Sequence, residues 1–288
     1  MDADVIGLNE VTCRFLERLL REDWVRESYT VSAVPGDPRC SFVTTIRGPF
    51  GNLLLSNIPC VSLAYVEQPG DGRHSHVMSV LLEHPRGGRP RHLAVCSAHF
   101  TACPWLMEGR RKKQLEALTA AMVPTARPVE ERNGETSAMD VRAAPFDACV
   151  VMGDFNFHRE AESASIPAGW REVPAIVALG TTWDFVRNTM LAHYLPLRNI
   201  YNGFGLGTFL GWPSPMRLDR VLVSGDGLDA AGATARTFAD QPIDERAKSR
   251  PPLPQTGPEL QEAHRKLPWQ EYLFPSDHFG IAFELQCA

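Results

Sequence analysis

The chain has 288 residues, enough for one large domain or two ordinary ones and for a sizeable core. With 44% hydrophobic and 22% charged residues, 22 Gly and 23 Pro, the composition is globular and rich in turns, which excludes disorder throughout. A net charge of −5 excludes a bulk positive field, so contact with a polyanion requires a local patch; seven cysteines without a CxxC pair point to reduced thiols, against a disulfide scaffold or zinc ribbon.

Met1-Asp2-Ala3-Asp4 is acidic and Val5 to Leu8 is too short for an apolar signal core, so an intracellular protein of cytoplasm or nucleus is expected, with no signal peptide. The longest uncharged run, Asn199 to Met216, holds four glycines and two prolines and reads as loop, so no transmembrane segment is expected. Val5 to Val11 reads as a strand. Apolar Phe15, Leu16, Leu19, Leu20 and Trp24 then fall at helical spacing, which predicts one amphipathic helix from Thr12 to about Arg26. Short β-like runs follow at Tyr29 to Val34, Ser41 to Ile46, Gly51 to Ser56, Val61 to Glu67, Val77 to Leu82 and His92 to Ala98, suggesting an antiparallel meander. A second helix is predicted from about Trp105 to Met122, with Leu106, Leu115, Leu118 and Met122 facing inward and a basic tract, Arg110 to Lys113, near its start. Ala148 to Met152 is a continuous apolar strand of the kind covered on both faces. Leu218 to Val223 and Phe279 to Leu285 are further strands. Polar, aperiodic segments at about 124–145 and 240–268 read as surface insertions in a single α/β domain spanning 1–288.

Several polar residues sit inside or just beyond runs that should be buried: Glu10 in VIGLNEV, Asp154 and Asn156 after CVVM, Asp219 in RLDRVLV, and Asp277 with His278 before FGIAFEL. A charge in an apolar strand is costly unless paired or metal-bound, so together they suggest strand ends converging on one polar pocket. Each taken alone reads equally well as a turn carboxylate or helix cap.

LNEV at Leu8 to Val11, SAHF at Ser97 to Phe100, GDFN at Gly153 to Asn156, TWD at Thr182 to Asp184 with Asn188 beyond, LDRVLV at Leu218 to Val223 and SDHFGI at Ser276 to Ile281 occur in that order. The series resembles the endonuclease/exonuclease/phosphatase superfamily. It is most similar to the branch containing the 5′-tyrosyl-DNA phosphodiesterases. The resemblance implies a four-layer α/β sandwich of two mixed β-sheets flanked by helices, and Mg²⁺- or Mn²⁺-dependent hydrolysis of a phosphodiester, in nucleic-acid ends or a tyrosyl-DNA-type adduct, by a monomer. It makes Glu10 the principal metal ligand and Asp277 a second carboxylate near it. Asp154 orients and deprotonates the attacking water, and Asn156 holds the phosphate or nucleophile. His278, oriented by Asp219, donates to a non-bridging oxygen, and His99 faces the phosphate. Among weaker candidates, Trp183 forms a wall of the site and Asn188, with Asp184, shapes its loop. Arg111 reads as a phosphate contact or as part of a solvated helix start. Trp212 could stack on a base or cover the core.

Two departures stand out: the family's Asn-bearing first strand is missing ahead of Leu8, and the glutamate motif reads LNE for the usual LQE. They keep open a catalytically impaired binding protein on the same scaffold, beside a lipid or inositol-phosphate hydrolase using the same residues. His74, His76, His84 and His92 read as polar hairpin positions rather than a zinc cluster. GFGLG lacks the dinucleotide spacing, and no GxSxG elbow is present.

Overall fold

A computed structural model describes residues 3–35, 43–45, 48–70, 72–83, 90–102, 107–122, 146–183, 215–225, 227–238 and 278–287. The segments read as insertions, 124–145 and 240–268, and residues Leu106 and Trp212 lie outside them. The chain divides into two compact units, Met1–Val173 with Asp219–Gly232 and Leu285–Ala288, and Pro174–Leu218 with Ala233–Glu284.

In the first unit β1 (Val5–Thr12) runs straight into α1 (Cys13–Leu19). Thr12 makes the transition, its hydroxyl accepting the Phe15 amide at 3.2 Å and so satisfying one of the orphan donors of the first turn. The single helix expected to Arg26 is interrupted, and α2 (Asp23–Ser28) starts afresh. The break turns the apolar stripe: Leu16, Leu19 and Val25 are buried, whereas Phe15 and Trp24 are 48% and 46% exposed. Trp24 instead meets Tyr29 edge-on.

β2 (Thr30–Val31), β3 (Val43–Thr45) and β4 (Gly48–Ser56) build the first sheet around β4, which pairs β1, β2 and β3, each antiparallel. Leu16, Leu19 and Val25 close over Val11, Leu53 and Leu55 of this sheet. Each such fully buried side chain stabilises the fold by about 2 kcal/mol.

The second sheet has the order β5-β6-β7-β8-β10-β9, formed by β5 (Cys60–Glu67), β6 (His74–Leu82), β7 (Arg91–His99), β8 (Ala148–Asp154), β9 (Trp170–Glu172) and β10 (Asp219–Gly225). The meander is therefore confined to β5, β6 and β7, while the earlier strands belong to the other sheet. β7 and β8 are parallel. Parallel neighbours need a crossover, and α3 (Glu108–Ala121) lies on that connection. Leu115, Leu118 and Met122 pack on Ala94, Cys96, Cys149 and Val151. β1 and β4 lie against strands of the second sheet, so the unit stacks α1 and α2, one sheet, a mixed sheet and α3 in four layers.

In the second unit α4 (Pro174–Leu179) buries Ile176, and Trp183 bridges Met216. The Thr182 carbonyl accepts the Phe279 amide at 2.7 Å, and its hydroxyl accepts the Leu218 amide at 3.2 Å. β11 (Leu228–Phe238) and β12 (Gly280–Cys287), each contributing residues to both units, pair as a two-stranded sheet. No helix among the described residues is long and apolar enough to cross a membrane.

Candidate active site

Strand register decides which polar side chains meet. His99 ends β7 and is the partner of Asp154 at the end of parallel β8; Asp154 is in turn the partner of Asp219, which opens antiparallel β10. Three residues singled out in separate motifs thus share one rung of the second sheet. Partners on a rung present side chains on the same face. His99 Nε2 lies 3.5 Å from Asp154 Oδ2, and a carboxylate oxygen of Asp154 and one of Asp219 lie within 4.8 Å of each other.

Glu10 reaches this rung from the other sheet through a bulge. β1 pairs Leu8 with Leu53 and Val11 with Gly51, so Asn9 and Glu10 together face Asn52 alone. Glu10 takes φ 55°, a left-handed conformation rare in a non-glycine residue. The kink separates two neighbours that a regular strand would simply alternate. Asn9 turns toward the second sheet, donating from Nδ2 to the Ala98 carbonyl at 3.1 Å and accepting at Oδ1 from the Ser97 hydroxyl at 3.0 Å. The Glu10 carboxylate stays more than half exposed, its Oε1 3.9 Å from His99 Nε2. Its charge is therefore hydrated at a strand edge, and the expected cost of a carboxylate inside an apolar strand does not arise.

Beyond Asp154 the chain leaves β8. Asn156, at φ 50°, donates its backbone amide to Asp154 Oδ1 at 2.7 Å, and its side-chain Nδ2 donates to Asp154 Oδ2 and the Phe100 carbonyl, both at 3.0 Å. The amide hydrogens that the motif assigns to a phosphate are engaged here in aiming the Asp154 carboxylate. Phe155 and Phe157, either side of Asn156, are buried with Phe100 and hold the turn down.

Arg73 enters the site without a sequence signal. It stands just ahead of β6, is nearly buried, and places Nη1 3.2 Å from His99 Nδ1. Neither periodicity nor a motif marked it.

Arg111 is fully buried, with Nε and Nη2 on Glu162 Oε2 at 2.8 and 2.7 Å. Buried in that pair, it has no surface with which to grip a substrate phosphate. The same is true of Arg220 beside Asp219, which donates to Glu172 at 2.9 Å and Ser163 at 2.8 Å and lies over the Phe157 ring. Both cations fasten the 3₁₀ turn at Glu160–Ser165, which follows the GDFN segment. Trp183 is buried to 4% exposure and offers little ring face for stacking. His278 precedes Phe279, whose amide is held by Thr182. Asp184, Asn188 and Asp277 lie outside the described residues.

The model of the Endonuclease/Exonuclease/phosphatase family matches residues 1–278. The chain belongs to that family. It is a family of phosphoester hydrolases, in accord with a cluster of oxygen donors and one imidazole at strand ends. No curated protein matches the sequence. Among solved structures, truncated Caenorhabditis elegans TDP2 is similar at 15% identity and a TM-score of 0.58, over 99% of this chain and 84% of that one. A longer TDP2 structure from C. elegans gives 15% and 0.57, over 99% of this chain and 65% of that one. An endonuclease/exonuclease/phosphatase family protein from Bacteroides thetaiotaomicron gives 12% and 0.56, over 99% and 83%. At such identities the likeness is one of fold, and it agrees with the α/β sandwich.

Proposed function

We propose that the chain, as one catalytic domain, hydrolyses a phosphodiester with the help of Mg²⁺ or Mn²⁺, acting on a nucleic-acid end or a tyrosyl-DNA-type adduct. The supporting observation is the shared rung of His99, Asp154 and Asp219 with Glu10 beside it. The donor set fits such an ion: Glu10 offers hard oxygen, and its exposure leaves room for the waters that Mg²⁺ retains. Glu10 would hold the ion, with Asp277 as the second carboxylate. When bound, the ion supplies positive charge against the phosphoryl oxygens.

The protein's own groups supply the rest. Asp154, aimed by two donors from Asn156, accepts the proton of the attacking water as the new P–O bond forms. Cleavage of the opposite P–O bond releases the alcohol or phenol oxygen. His99 donates to a non-bridging oxygen as charge grows there, and Asn156 can exchange one of its donors onto the same phosphate. Roles for His278 with Asp219, and for Asp277, Asp184 and Asn188, rest on the motifs.

The test is a substrate panel with Mg²⁺ or Mn²⁺: a 5′-tyrosyl oligonucleotide, unmodified DNA and RNA ends, an inositol phosphate and a phospholipid. Cleavage of the first two classes, reduced on the order of 10²–10⁴-fold by Asp154→Ala and by Glu10→Ala, is expected. Turnover confined to the inositol phosphate or lipid would reassign the substrate, and binding without turnover would leave a binding protein.

A further inference from the structure

We propose that Arg73 is a positioning residue that fixes the tautomer of His99, so that His99 presents an Nε2–H donor to the reacting phosphate. The proposal rests on the reading of this site as phosphodiester-cleaving, and deepens it.

Arg73 stands immediately before β6, its carbonyl accepting the Gln68 backbone amide at 2.7 Å. A guanidinium at 9% exposure is costly to bury unless its hydrogens meet acceptors. Nη1 lies 3.2 Å from His99 Nδ1. Arginine has five N–H donors and no acceptor, so this contact is a hydrogen bond only if Nδ1 supplies a lone pair. A neutral imidazole has one hydrogen, which then belongs to Nε2.

The other edge of the ring demands the same arrangement. Nε2 faces Asp154 Oδ2 at 3.5 Å and Glu10 Oε1 at 3.9 Å, two groups that accept. Reversing the tautomer would set N–H against N–H on the Arg73 side and a lone pair against two carboxylates on the other. Both edges oppose it.

This differs from a histidine whose Nδ1–H is held by a carboxylate, the arrangement that suits proton transfer at Nε2. With a cation in that place His99 becomes a fixed donor, suited to an oxygen that gains negative charge without taking a proton. Its rung partnership with Asp154 puts that donor beside the water's base.

The test uses the full chain labelled with ¹⁵N-histidine. Two-bond ¹H–¹⁵N spectra report which ring nitrogen carries hydrogen, and the His99 signals are identified by their loss in His99→Gln. The wild type should show the Nε2–H tautomer, Arg73→Met a mixture, and Arg73→Lys mainly Nε2–H. For a cleaved phosphodiester, Arg73→Met should lower kcat roughly tenfold with KM within about twofold, as expected for one lost alignment, and Arg73→Lys should recover most of it. An Nδ1–H tautomer in the wild type overturns the proposal, and so does an unchanged tautomer in Arg73→Met. If Arg73→Met fails to fold, the wild-type spectrum decides alone. An Nε2–H spectrum in a chain that cleaves no phosphodiester supports the Arg73–His99 assignment and counts against the proposed function.

Discussion

Asn9 fills the space that a side chain at position 153 would need: its Nδ2 lies 2.7 Å from where a β-carbon on Gly153 would stand, and the Ala98 carbonyl oxygen is closer still. Gly153 also has φ 135°, outside the range of ordinary residues. The missing side chain lets one amide stitch β1 to β7 directly behind Glu10. The short Asn of the LNE motif therefore has a structural partner set of its own, and it backs Glu10, the residue proposed above to hold the metal. Gly153→Ala should lower stability by about 2–3 kcal/mol, through strained backbone and overpacking. Asn9→Ala should weaken Mn²⁺ binding about tenfold, as loss of a ligand's support does. Urea unfolding and calorimetric Mn²⁺ titration read the two effects, and a Gly153→Ala protein as stable as its parent would contradict this account.

Glu10 holds φ 55° without glycine's freedom, a conformation that costs roughly 1–2 kcal/mol. Its carboxylate is more than half exposed, and a charge so hydrated gains little from its 3.9 Å approach to His99 Nε2. Glu10→Gly should therefore unfold at equal or higher denaturant, by up to about 1 kcal/mol once glycine's extra chain entropy is counted, while losing metal binding and hydrolysis. A marked loss of stability would mean that the Glu10 side chain holds the bulge together.

The site was legible where a polar word ends an apolar strand. GDFN after CVVM and LDR before VLV could be placed at strand ends from pattern alone, and the register then puts Asp154 and Asp219 on one rung. What the pattern could not carry were partners distant in the chain. Arg73 and His99 are 26 residues apart, and nothing near Arg73 in the sequence announces a buried cation. Arg111 looked like a solvated or phosphate-gripping charge because Glu162 lies 51 residues on. The helix over 12–26 differs for another reason: its apolar spacing continues through Leu20, but the chain turns at Leu20 to Glu22, so α2 starts a new stripe in which Val25 is buried and Trp24 exposed.

The Arg111–Glu162 pair gives a prediction that separates structure from catalysis. Removing one partner leaves the other charge buried and alone, so Arg111→Ala should cost about 3–5 kcal/mol. Replacing both, as Arg111→Met with Glu162→Leu, should return most of that loss. Hydrolysis per folded molecule should be unchanged within about twofold in the double variant. Guanidinium unfolding and active-fraction kinetics distinguish this from a substrate contact, for which the double variant would remain impaired in KM.

His76 makes stability depend on pH. It is buried between the sheets, and its Nδ1 lies 2.8 Å from the Ser32 hydroxyl, which already accepts the Leu54 amide at 2.8 Å. Enclosed in this way, the ring loses the water that would solvate its charged form. Burial pushes the His76 pKa down from 6.5 to about 4, with His74 adding to the effect. Burial and Arg111 lower His158 likewise to about 4. A base whose folded pKa lies below its unfolded value binds more protons when unfolded, so stability is full above about pH 6.5 and declines as pH falls toward 4. The His76 share is on the order of 3 kcal/mol at most. His76→Asn, which can keep a polar atom near the Nδ1 position but does not titrate, should flatten that decline. Urea midpoints measured from pH 7.5 to 4.5 give the slope, and an equal slope in wild type and His76→Asn would remove His76 as its source.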